Sequence, residues 1–206
     1  MCRRFTVTSK PEAVAKHFDA TLVEKFQSDK IYAPLDFVPM IVESRKSKER
    51  ELRVARFGII PSFAIDPSVG KKLYNCRAET VNMKPSFRAS FEARRCLIPA
   101  NAFYEWHLHN KEPHEVTAAK GGLMAFAGIW DRWRDPMNDD VVVSLTIITT
   151  DAAGDLATIH QRMPAILDKD AQAAWLDPKA KEADLMALLK PYAKINIALS
   201  SEVMAA

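Results

Sequence analysis

The chain has 206 residues, 48% of them hydrophobic and 27% charged, with a formal net charge of +3. That is the composition of an ordinary soluble globular protein with enough chain for a sizeable core, and its mild basicity is no argument for nucleic acid. The longest apolar runs, LMAFAGIW and VVVSLTIITT, are too short to cross a bilayer, so no membrane span is expected.

In chain order, RFTVT alternates as a strand, and Ser9 followed by Pro11 and Glu12 reads as a capping box opening a short helix that carries Val14, His17 and Phe18 inward. VPMIVES and ELRVARF flank the mixed-charge run ESRKSKERE as two strands of a hairpin, the run itself being its solvated tip. FGIIPSFAIDPSVG is broken by proline and glycine into a loop, and SFRASFEARR has helical spacing. RCLIPANAFYEWHL and EPHEVTAAKGGLMAFAGIW follow as successive strands, with Gly121-Gly122 as a tight hairpin turn. VVVSLTIITT is a further strand, Asp151 to Ile159 a short helix, AQAAWL and KEADLMALLK two more helices, and INIALS a returning strand.

Many antiparallel strands with a few peripheral helices make an α+β fold, mainly antiparallel β-sheet with a barrel-like core. No repeat, low-complexity tract or long linker interrupts it, so residues 1–206 are read as one domain. No apolar segment backs the N-terminal charges, so a cytoplasmic, nucleoid-associated protein is expected. Cys2, Cys76 and Cys96 are odd in number and form no Cys-x-x-Cys pair, which supports neither a disulfide framework nor a zinc knuckle.

Cys2 is chemically distinct from the other two. Once Met1 is removed it carries a free α-amine and a thiol on adjacent carbons, a 1,2-aminothiol. That amine has a reference pKa of about 7.7–8.0 against about 10.4 for lysine, so far more of it is nucleophilic at neutral pH. Cys76 and Cys96 offer only a thiol and are expected to be buried as small hydrophobes.

Four stretches hold the remaining candidates: MCRRF, YNCRAET at 74–80, FYEW at 103–106 and TIITTDAAGDLATIHQRMP at 146–164. Singly, each has a bland explanation: Glu105 as a strand residue facing solvent, His160 as a structural histidine, Asn75 as a turn cap. Together and in this order they resemble the SRAP family, the SOS response-associated peptidases or abasic-site processing proteins. The resemblance rests on Cys-x-Arg-Phe, Asn-x-Arg-x-Glu, Phe-x-Glu-Trp, Ala-Gly-Ile-Trp and Ile-His-x-Arg-Met-Pro, and runs from residue 2 to about residue 167.

The resemblance implies that Cys2 reacts with the ring-opened aldehyde of an abasic site in single-stranded DNA and closes a thiazolidine, a stable cross-link. It implies that His160 assists opening of the deoxyribose ring and that Asn75 holds the α-amine or the sugar. Glu105, beside aromatic residues, is the general acid/base, its pKa raised by desolvation. Arg4, Arg77 and Arg162 are phosphate contacts, each within two residues of a proposed catalytic residue. The competing role for one of these arginines is an ion pair with Glu79 or an aspartate. Thr149 adds a hydroxyl contact, and Trp106 and Phe63 stack on bases, with core packing as the alternative for both. Position 3, usually glycine in the family, is Arg3, and the tryptophan often found after Gly-x-x-Pro is Phe63.

No cofactor, metal or membrane partner is expected, and the chain is read as a monomer. Removal of Met1 is expected to be autocatalytic, and a lyase side activity stays open. Two further readings are a thiol peptidase using Cys2 with His160, and a non-covalent binding module for single strands or modified bases in which Cys2 is idle. A metal enzyme built on His107, His109 and His114 ranks below both, since no ligand cluster surrounds them.

Overall fold

The computed structural model describes residues 2–200. Strand β1 (Arg4–Val7) leads into helix α1 (Pro11–His17) and two short strands, β2 (Ala20–Leu22) and β3 (Lys30–Tyr32). The expected hairpin forms from β4 (Phe37–Glu43) and β5 (Arg50–Phe57), antiparallel from Phe37↔Arg56 to Glu43↔Arg50. After a loop come β6 (Asn75–Arg77), helix α2 (Pro85–Ala93), β7 (Arg95–Ala100), β8 (Ala102–Trp106) and β9 (Pro113–Ala118). Two long strands follow, β10 (Met124–Arg134) and β11 (Val141–Asp151), then the single turn α3 (Leu156–Ile159) and β12 (Arg162–Pro164). Helices α4 (Lys169–Leu176) and α5 (Glu182–Leu188) and strand β13 (Ile195–Leu199) complete the chain. No helix among the described residues is long and apolar enough to cross a membrane.

The strands build two sheets, and one closes on itself. β11, β10, β7, β4 and β5 are hydrogen-bonded in that order. β5 then returns to β11 in parallel through Ser144↔Arg56 and Leu145↔Phe57. Closure removes the unpaired edges that an open sheet would present. The second sheet runs β13-β9-β8-β1-β3 and packs its inner face on the barrel. Phe5 of β1 and Phe103 of β8 meet Phe57 of β5 and Phe126 of β10 with ring centroids 5.7–6.1 Å apart, all near edge-to-face. All four rings are fully buried, and each such pair adds about 0.5–1.5 kcal/mol beyond area burial.

The barrel wall leaves little room for a side chain at Gly128. A Cβ on Gly128 would lie 2.1 Å from Ile98 Cδ1 and 3.1 Å from both Cys96 Sγ and the Thr146 carbonyl oxygen. Cys96 and Cys76 are buried beside this wall, as small hydrophobes are expected to be.

Three local expectations are corrected. Gly121-Gly122 closes no hairpin: β9 pairs with β8 and β13, whereas β10 pairs with β7 and β11. The two glycines, at φ 70° and 86°, instead carry the chain from one sheet to the other. No capping box forms at α1: its cap residue is Lys10 without a side-chain bond, while Ser9 exchanges hydrogen bonds with Asn101 at 3.2 Å. His17 is exposed, leaving Val14 and Phe18 as the inward residues.

Candidate active site

The site is assembled where β11 outruns the barrel. Its first half lies between β10 and β5; beyond Ile147 it takes β6 and β12 as neighbours instead. The parallel pairing Ile147↔Asn75 brings in Asn75, and the antiparallel pairing Asp151↔Arg162 brings in the segment that follows His160. The second sheet delivers the rest, since β1 runs against β8 with Arg4 opposite Tyr104 and Phe5 opposite Phe103. A backbone bond from Leu108 N to the Ile159 carbonyl oxygen, 3.0 Å, ties the end of β8 to the residue before His160.

Cys2 sits just ahead of β1 with no exposed surface. Asn75 Nδ2 donates to its carbonyl oxygen at 2.7 Å, and its thiol points back to the Arg4 carbonyl oxygen at 4.0 Å. Asn75 Oδ1 is buried and accepts no hydrogen bond among the described residues. Burial, and then the negative charge of Glu105, pushes the Cys2 thiol well above its ordinary pKa, so it is held protonated.

Glu105 lies on the same face of β8 as Phe103, because successive strand residues alternate sides. It is therefore carried inward, to 2% exposure, rather than toward solvent. Burial raises its carboxyl to about 7. A group with that proton affinity both gives and takes a proton at neutral pH.

His160 Nδ1 lies 3.9 Å from Glu105 Oε2, too far for a hydrogen bond. Arg162 N donates to Nδ1 at 3.0 Å. The Arg162 carbonyl oxygen lies 3.0 Å from the same Nδ1, so both backbone groups of Arg162 hold this edge of the ring. Burial lowers the pKa of His160, which favours the neutral imidazole.

Arg162 is not available to a phosphate. One terminal nitrogen donates to Glu79 Oε1 at 2.7 Å and Asp151 Oδ1 at 2.6 Å, and the other to Glu79 Oε2 at 3.0 Å and the Thr149 carbonyl oxygen at 2.6 Å. The ion pair with Glu79 is thus its structural role, and it clamps the turn that presents His160. Thr149 is likewise corrected as a DNA contact: fully buried, its hydroxyl donates to the Cys76 carbonyl oxygen at 3.1 Å. Which aspartate would join Glu79 was not legible in the sequence; only the β11–β12 register shows Asp151 opposite Arg162.

Arg4 lies with its guanidinium carbon 5.8 Å from the ring centroid of half-buried Trp106. Arg77 is exposed, two residues from Asn75 and opposite Thr149. Phe63 stands 66% exposed on the loop after β5. Among the described residues no three His, Cys, Asp or Glu side chains gather to hold a metal ion. His107 Nδ1 instead accepts from the backbone N–H of His109 and Asn110.

A protein-family model, SOS response associated peptidase (SRAP), matches residues 1–205. The abasic site processing protein YoqW of Bacillus subtilis (strain 168) is 35% identical over 202 residues, covering 93% of this chain and 88% of that protein. The abasic site processing protein HMCES of Xenopus tropicalis is 35% identical over 175 residues, covering 73% of this chain and 52% of its own length. Among solved structures, a protein from Bacteroides thetaiotaomicron superposes with a TM-score of 0.88 at 26% identity, over 100% of this chain and 95% of its own.

Proposed function

The chain belongs to the SOS response-associated peptidase (SRAP) family, and from that premise we propose that it processes abasic sites in single-stranded DNA by covalent capture through Cys2. The relatives named as abasic site processing proteins supply the substrate class. The observation that carries the reading is the Asn75 bond to the Cys2 carbonyl, which holds Cys2 buried within reach of the charge of Glu105, a carboxyl raised to about 7.

Loss of Met1, which lies outside the described residues, frees the α-amine of Cys2. The amine attacks the ring-opened aldehyde, and expulsion of water leaves an imine. The Cys2 sulfur then adds to the imine carbon while its proton passes to nitrogen, closing a five-membered thiazolidine with one water lost overall. Glu105 serves the proton transfers, giving a proton to the departing hydroxyl and taking the one the nitrogen loses. His160 donates a proton to the deoxyribose ring oxygen as the ring opens. Asn75 Nδ2 holds the carbonyl of Cys2, leaving Oδ1 to accept from the α-amine. The protonated thiol suits this order of events, since the amine attacks first and sulfur follows.

Intact mass spectrometry tests the reading. After incubation with a single-stranded oligonucleotide holding one abasic site, the protein is expected to lack Met1 and to gain the mass of the oligonucleotide less one water. The adduct should survive heat and be absent from Cys2→Ala. An adduct formed at full yield by Cys2→Ala would sink the mechanism. Cys2-dependent turnover of an unrelated peptide, with no adduct, would replace it by a thiol peptidase.

A further inference from the structure

A cavity of about 460 Å³ opens at the end of the barrel remote from Cys2. Met40 and Val42 of β4, Arg53 of β5, Trp130 and Arg132 of β10 and Val143 of β11 line it. The strand registers set these side chains side by side, with Met40 opposite Arg53 and Arg132 opposite Val143. Val143 is four residues from Ile147, which pairs with Asn75, so the cavity lies about 13 Å along β11 from the reactive end. Its volume falls within the roughly 300–1,000 Å³ of small-molecule sites, for which barrel mouths are a recurrent location.

The lining is cationic in excess, with six Lys and Arg side chains against three glutamates. Two of those glutamates are already engaged: Glu51 Oε2 with Arg53 Nε at 2.7 Å, and Glu24 Oε2 with the Val54 amide at 2.7 Å. Arg94 is paired with Asp131 at 3.2 Å. Lys48 and Arg132, both exposed at the rim, make no side-chain hydrogen bond or ion pair among the described residues. Half-buried Trp130 adds an aromatic wall, and Met40, Val42 and Val143 an apolar floor.

Unpaired cations at a rim, an aromatic wall and an apolar floor fit an anion that carries a planar ring. We propose that this mouth binds an organic phosphate bearing a base, of which a mononucleotide is the simplest form. Arg132 and Lys48 hold the phosphate, and the ring lies against Trp130. Inorganic phosphate would meet the cations and leave the apolar floor bare. The site is separate from the Cys2 reaction, and its failure would leave that reading untouched.

The experiment titrates dAMP, adenosine and inorganic phosphate into the purified protein at constant ionic strength, reading thermal stability and tryptophan fluorescence. dAMP is expected to bind saturably and more tightly than either fragment. The Lys48→Ala, Arg132→Ala double variant is expected to weaken dAMP by about tenfold or more, the scale of losing charge-assisted hydrogen bonds. Both substitutions are at exposed positions, and unchanged cross-linking of an abasic oligonucleotide would show that the variant is folded. A short undamaged oligo-dA strand without terminal phosphates separates the sources: competition with dAMP assigns the phosphate to a strand, and its absence to a free nucleotide. The proposal is overturned if dAMP does not bind, if it binds the double variant equally well, or if inorganic phosphate alone matches it.

Discussion

Asn75 reaches across 73 positions of sequence to donate a 2.7 Å hydrogen bond to the carbonyl oxygen of Cys2. That single contact joins a strand held by the far half of β11 to Cys2, just ahead of β1, and so fixes that residue from outside its own sheet. Asn75→Ala is expected to slow cross-linking while leaving some product, because the aminothiol remains but its placement is lost. Loss of one partly buried hydrogen bond should lower stability by about 1 kcal/mol. Asn75→Asp, which keeps the acceptor and loses the donor to the Cys2 carbonyl, should be slow as well. Time courses on denaturing gels, with thermal melts in parallel, check both.

Glu105 should leave a signature in the pH dependence of stability. Its carboxyl is raised by burial from 4.5 to about 7, so between those values the folded protein holds a proton that the unfolded chain has released. Stability from this group therefore falls as pH rises through that window, by up to about 3 kcal/mol. Glu105→Gln is expected to flatten that decline and to remove the inflection near neutrality in the cross-linking rate. Denaturant melts between pH 4 and 8, which span about the interval, and rate profiles measure the two.

His160 is expected to act in the opposite sense. Its pKa is lowered from 6.5 by burial, so the stability of the neutral ring is fully present above that value and is lost as pH falls below it. Because the backbone of Arg162 fixes the ring at Nδ1, His160→Ala should slow capture by roughly the 10²–10⁴-fold typical of a positioned proton donor. Supplying the substrate as a ring-opened aldehyde analogue should restore much of that loss. A rate on the opened analogue as slow as on the natural sugar would remove His160 from ring opening.

Arg77 and Arg162 should separate cleanly. Arg162→Ala breaks the pairs with Glu79 and Asp151 and the bond to the Thr149 carbonyl, and is expected to destabilise the fold by about 1–2 kcal/mol, since both carboxylates are exposed and solvent takes over much of what they lose. The Arg162 change should leave the salt dependence of DNA binding alone. Arg77→Ala, at an exposed position, should do the reverse: little change in stability, and a salt slope shallower by about 0.7 for one lost single-strand phosphate contact. Affinity measured over a series of salt concentrations, with thermal melts, distinguishes them.

Gly128→Ala tests the barrel wall. With Ile98 Cδ1 only 2.1 Å from the added carbon, either a core side chain must leave its rotamer or the strand must move. A loss of about 1–3 kcal/mol is expected, the cost of overpacking. Gly121→Ala meets no atom within 4 Å and is limited by its φ of 70° alone, so its cost should be about 1 kcal/mol. Urea titrations of the two variants give the comparison.

Much of this protein was legible before folding. Alternation and turn residues located β4, β5, β10 and β11, and the position of Cys2, the motif around Glu105 and the order of the segments carried the resemblance to the SRAP family. These are local signals: side-chain period, turn chemistry, and the reactivity of an amine beside a thiol depend on neighbours in sequence. What the tertiary structure decided is which segments become neighbours. It separated β9 from β10 despite a glycine pair that reads as a hairpin turn, because each strand finds more pairing in a different sheet. It turned Arg162 and Thr149 inward to hold the site rather than outward to DNA, since Glu79, Asp151 and the Cys76 carbonyl lie within hydrogen-bond reach only after β6, β11 and β12 align. It also set the orientation of the His160 ring and the raised proton affinity of Glu105, because burial and the backbone partners at Nδ1 are properties of the assembled site and of no residue alone.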